Sequence, residues 1–91
     1  MFVQFVIQPN DKVTAIYRNV DDEWVRGVLG GDMEFVGLRN EQGLRLNSVG
    51  LIVDDIGRIK GKVHNRIASG LAGVDIVGTA IVFQDSEDNY E

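Results

Sequence analysis

Ninety-one residues, 44% hydrophobic and 25% charged, suffice for one small folded domain and leave no room for a second. The absence of cysteine excludes disulfides, thiolate zinc sites and cysteine nucleophiles. A net charge of −5 argues against general nucleic-acid binding, which needs an extended positive footprint.

The apolar start at residues 1–8 has no basic lead or cleavage site, and no run approaches the ~20 apolar residues that cross a bilayer, so a soluble cytoplasmic chain without membrane contact is expected. Residues 2–8, rich in Val, Ile and Phe and closed by Pro9-Asn10-Asp11, read as a largely buried strand and a turn. Residues 12–20 alternate loosely and read as its antiparallel partner. The period changes at Asp21. Trp24, Val25, Val28 and Leu29 fall on one helical face, with Trp24 expected as a core anchor. Asp21 is a natural N-cap, Asp22 and Glu23 place carboxylates in the first turn, and Gly30-Gly31 ends the helix. These three acids read as solvent-facing caps and not as a metal site, because a hard cation needs several converging oxygens.

Residues 32–39 alternate Met33, Phe35 and Gly37 against Glu34, Val36 and Leu38, a third strand, and residues 40–43 form a turn by composition. Residues 44–53 read either as a loop entering a strand at Leu51-Ile52-Val53 or as a bulged strand. Asp54-Asp55-Ile56-Gly57 is a tight-turn sequence that would let Leu51-Ile52-Val53 pair with residues 59–63 as a hairpin. Residues 67–73 fit a short helical turn or coil. Residues 75–83 are the clearest strand, expected to be central or buried on both sides. The expected fold is α+β: residues 1–84 form a single domain with a mainly antiparallel sheet of about five strands and one short helix packed on a face, and residues 85–91 form an acidic frayed tail. A domain this small without staples also suggests a homo-oligomer.

The most unusual stretch is basic. Arg58, Lys60, Lys62, His64 and Arg66 recur at every second position, so on an extended strand all five would share a face. Four of the nine Lys and Arg residues lie here, with no carboxylate among them. Asn65 and Arg66 would add a two-way amide and a forked guanidinium, a pairing suited to a phosphate or nucleotide edge. The candidate ligand-binding set is therefore Arg58, Lys60, Lys62, His64, Asn65 and Arg66. The competing reading is a solvated face balanced by Glu34, Glu41 or other acids on neighbouring strands, with Asn65 satisfying turn backbone and Arg66 a plain surface charge. Catalysis is not expected. His64 is the sole histidine, neither Ser48 nor Ser69 has a recognisable nucleophile setting, and the glycines form no phosphate loop, so no cofactor is expected either.

Three stretches together carry a family resemblance. Val25-Arg26-Gly27-Val28-Leu29-Gly30-Gly31-Asp32-Met33-Glu34-Phe35-Val36 joins a helix end to a strand through a double glycine. Val53-Asp54-Asp55-Ile56-Gly57-Arg58-Ile59-Lys60-Gly61 leads to Asn65-Arg66, and Asp75-Ile76-Val77-Gly78-Thr79-Ala80-Ile81-Val82-Phe83 closes the pattern. Over residues 25–91 the chain resembles a small uncharacterised family of phages and mobile elements, catalogued as domain of unknown function three-eight-four-six. Its members usually carry a proline before the Asn-Arg pair, where this chain has Lys62-Val63-His64. The resemblance implies a bacterial host cytoplasm and no established activity. Two functions follow as expectations. One is a non-catalytic phage or mobile-element accessory protein that binds an anionic ligand and sequesters a nucleotide signal of host defence. The alternative is an interaction module that inhibits or adapts a host or phage protein through its acidic surface or a strand edge.

Overall fold

The structure is a computed structural model that describes residues 1–39 and 45–84. The elements in order are β1 (Phe2–Ile7), β2 (Val13–Asn19), α1 (Asp22–Leu29), β3 (Met33–Arg39), β4 (Arg45–Asp54), α2 (Arg66–Ala72) and β5 (Ala80–Gln84). All five strands join one antiparallel sheet in the order β2-β1-β5-β4-β3, so β5, late in the chain, lies at the centre. This is the expected α+β class.

Side-chain alternation divides the core into two layers. Leu51 and Val53 of β4 join Ile7, Ala80 and Val82 against Ala68 and Ala72 of α2. Ile52, between them, turns the other way and joins Val3, Val6 and Ile81 against Val25 and Leu29 of α1. The sheet is thus covered on both faces, and β5 is buried on both, as its unbroken apolar run predicts. Val3 and Val6 share a face although three residues apart, because the register of β1 shifts between Val3 and Phe5 against both neighbours. Opposite that bulge Tyr17 takes φ +52 and sets its ring edge-on to Phe5 at 5.1 Å.

Helix α1 forms as its sequence predicts. The Asp21 side chain accepts from the Trp24 N–H, and Gly30 caps the other end in the left-handed conformation. Trp24 packs at the rim of the core, half-buried, with the Arg18 guanidinium 5.3 Å from its ring centre. Residues 67–73, expected as a short helical turn or coil, fall in a second helix, α2, which Gly73 caps.

Two expectations are corrected. The hairpin between Leu51-Ile52-Val53 and residues 59–63 does not form, because β4 already has β3 on one side and β5 on the other. The chain instead folds through consecutive turns, with Lys60 N–H donating to the Ile56 carbonyl, Gly61 N–H to Arg58 and Lys62 N–H to Gly57. The basic ladder is therefore not a strand, and Arg58, Lys60, Lys62, His64 and Arg66 do not share one strand face. The strand expected over residues 75–83 begins only at Ala80, since Gly78 has φ +77 and leaves only an isolated His64–Val77 bridge before it. Of the stretch expected at 44–53, the described part from Arg45 follows the bulged-strand alternative, with a register shift against β3 between Gly37 and Arg39. The turn at 40–43 and the tail at 85–91 lie outside the described residues.

Candidate functional site

The basic residues converge on acids that the sequence places elsewhere. β4 ends at Asp54, whose side chain is 1% exposed. Lys60 Nζ lies 2.8 Å and Lys62 Nζ 2.7 Å from its Oδ2, and its Oδ1 accepts from the Ile56 N–H at 3.1 Å. Burial alone would raise this carboxyl's pKa, but the two lysine hydrogen bonds, the Ile56 N–H and the Lys62 charge hold it well below the usual carboxylate range. The same ammoniums close the end of α1. Lys62 donates to the Leu29 carbonyl at 2.6 Å and Lys60 to Gly30 at 2.9 Å, where a helix C-terminus favours positive charge. A Cβ on Gly31 would lie 2.6 Å from Lys60 Nζ and 2.7 Å from Asp54 Oδ1, so only glycine leaves room for this clamp.

A second group forms around Asp75. Arg58 binds its carboxylate at 2.8 Å and its carbonyl at 2.8 Å, while His64 Nδ1 lies 2.6 Å from Oδ1. The His64 hydrogen bond, ahead of the Arg58 contacts, holds the Asp75 carboxyl below its ordinary pKa. The third group is exposed: Arg66 reaches Asp11 at 3.1 Å.

Asn65 is 0% exposed and fully engaged. Its Oδ1 accepts from Ala68 N–H as the N-cap of α2, and Nδ2 donates to the carbonyls of Ile7 at 2.9 Å and Gly78 at 2.8 Å. It ties α2, β1 and the approach to β5 together. Ser69 Oγ likewise accepts from Ile76 N–H and donates to its carbonyl.

The structure therefore divides the six sequence candidates into a clamp on Asp54 (Lys60, Lys62), a group on Asp75 (Arg58, His64), a buried cap (Asn65) and a surface pair (Arg66). Sequence reasoning missed Asp75 and Asp11, and placed Asp54 only in a tight turn. No local spacing signals these pairings, because each is made by the tertiary fold.

A groove of about 460 Å³ lies between the edge of the sheet and these turns. Val36, Val53 and Ile76 line it, and the exposed Ile56, Ile59 and Val74 stand at its mouth, Ile59 being 84% exposed. Glu34 and Asp55 add two exposed carboxylates that make no ion pair among the described residues.

The groove adjoins the outer edge of β3, one of the two strands at the margins of the sheet. Met33 lies opposite Asp54, and Asp55 N–H donates to the Asp32 carbonyl. Antiparallel alternation then turns the backbone groups of Met33, Phe35 and Gly37 away from β4. Among the described residues nothing pairs with them. The register of β3 from Met33 to Gly37 is regular, whereas the other margin, β2, is bulged at Tyr17. Bulges blunt an edge, so β3 is the better template for another strand.

Compared with protein-family models, with curated proteins and with solved structures, the chain matches none.

Proposed function

We propose that this chain is a non-catalytic interaction module that takes an extended segment of another protein onto the outer edge of β3, beside the groove. The observation that carries this reading is the regular edge at Met33, Phe35 and Gly37, unpaired among the described residues, next to an apolar depression. Strand addition supplies main-chain hydrogen bonds, and alternate side chains of the added segment meet the groove on one face and Phe35 on the other. The competing reading, an anionic ligand held by Arg58, Lys60, Lys62, His64, Asn65 and Arg66, is disfavoured because the five basic side chains already bind acids and the Asn65 amide is buried and engaged. The resemblance to phage and mobile-element chains accords with a bacterial or phage protein as the partner.

Phe35→Pro tests this reading. Its N–H faces outward, so proline removes an edge donor without breaking the β4 ladder, a position where sheets tolerate it. Phe35→Ala controls for the lost ring. Capture from lysates of the producing cell should yield a stoichiometric partner with the wild type and Phe35→Ala and lose it with Phe35→Pro. Equal capture by all three overturns the reading.

A further inference from the structure

From the charges that border the β3 edge we infer that the segment it accepts is basic and apolar in alternation, with Lys or Arg directly opposite Glu34 and an apolar residue opposite Val36. This rests on the interaction reading and goes further by naming the chemistry of the partner.

Glu34 and Val36 point to the α2 face, where both line the groove. Because Met33, Phe35 and Gly37 carry the outward backbone groups, Glu34 and Val36 would occupy non-hydrogen-bonded positions against an added strand, where facing side chains approach most closely. A cation opposite Glu34 meets that carboxylate and has Asp55 on the same groove. The Arg58 charge nearby is neutralised by Asp75. An apolar residue opposite Val36 enters the depression toward Val53 and Ile76. On the other face the added strand meets Phe35, half-exposed and stacked edge-on to Phe83 at 5.5 Å.

The same charges disfavour a second copy as occupant. Antiparallel self-pairing centred on Glu34 or Phe35 sets the two Glu34 carboxylates directly opposite or diagonal to each other, and both chains carry −5. A basic partner relieves that repulsion, and a copy adds to it.

The test uses a short capped peptide with threonine on one face and alternating valine and lysine on the other, beside a counterpart with glutamate in place of lysine. Amide resonances of the full chain are followed at low salt. The lysine peptide should shift Met33, Phe35 and Gly37 most and bind about 3- to 10-fold more tightly than the glutamate peptide, a range set by one cross-strand charge pair changing sign. Glu34→Lys, at an exposed position, should reverse the preference. Equal binding of both peptides at β3 overturns the charge selection and leaves the edge reading standing. Lysine-peptide binding that leaves the β3 amides unmoved, or no binding by either peptide, overturns the inference, and partner capture by the edge variants then judges the edge reading separately. Concentration-dependent broadening of the β3 amides without peptide names a second copy as occupant and overturns it too.

Discussion

Lys62 lies 2.7 Å from the buried carboxylate of Asp54 and with the same ammonium closes the Leu29 carbonyl at 2.6 Å, so one side chain fastens the end of β4 to the end of α1. Lys60 repeats the contact through Gly30. The two lysines act as helix caps and counter-ions at once.

Removing Asp54 leaves two ammoniums facing helix carbonyls without their anion. Both lysines retain some exposure and can turn to water, so Asp54→Ala should cost about 2–4 kcal/mol, near the lower part of the range for breaking a buried pair. Urea unfolding measures it. A change below about 0.5 kcal/mol would show the clamp to be ornamental.

Stability should fall in acid. The folded-state pKa of Asp54 lies below its ordinary value of 3.8, so the folded chain binds fewer protons than the unfolded one. Its contribution is fully present above about pH 5 and is lost as pH falls through the unfolded and then the folded value. Asp75 acts with the same sign. Denaturant midpoints measured down to about pH 2 should decline for the wild type and decline less steeply for Asp54→Asn. Parallel curves would refute the assignment.

Asn65→Ala removes an N-cap and strands the carbonyls of Ile7 and Gly78, which together should cost about 3–5 kcal/mol. Asn65→Asp keeps the cap but not the donors, and should recover only part of that loss. Thermal unfolding of the two variants separates the roles, and equal stability of Asp and Asn at this position would contradict the geometry.

Gly31→Ala forces a methyl group against Lys60 and Asp54 and should destabilise by about 1–3 kcal/mol. Gly78→Ala meets the Lys62 stem at 2.8 Å with φ +77 and should cost at least as much. Gly27→Ala, where nothing lies within 4 Å, is the control and should stabilise α1 slightly.

Arg66→Ala breaks one exposed pair and should change stability by less than about 1 kcal/mol. Native mass spectrometry of wild type and Arg66→Ala from phage-infected or signal-producing bacteria should show no phosphate-bearing small molecule in either. A ligand carried by the wild type and lost in the variant would restore the anion-binding reading.

Local chemistry determined much of the fold. Asp21 and Gly30 delimit α1 because capping is a contact within a few residues, and the apolar run of β5 implies burial on both faces because no polar side remains. The alternation of β3 also exposes its two faces directly. The basic stretch misled for a physical reason: a two-residue period describes a face only if the chain is extended there, and pairing partners decide that. With β4 flanked by β3 and β5 there was no edge left for residues 59–63, so the backbone turned and the cations found Asp54 and Asp75. Asp11, 55 residues before Arg66, and Ile7, 58 before Asn65, meet them only across the folded sheet. The sequence by itself thus determined the class, the first helix and the buried centre, whereas tertiary structure decided which charges are neutralised and which edge is open, because both depend on strand order and long-range contact.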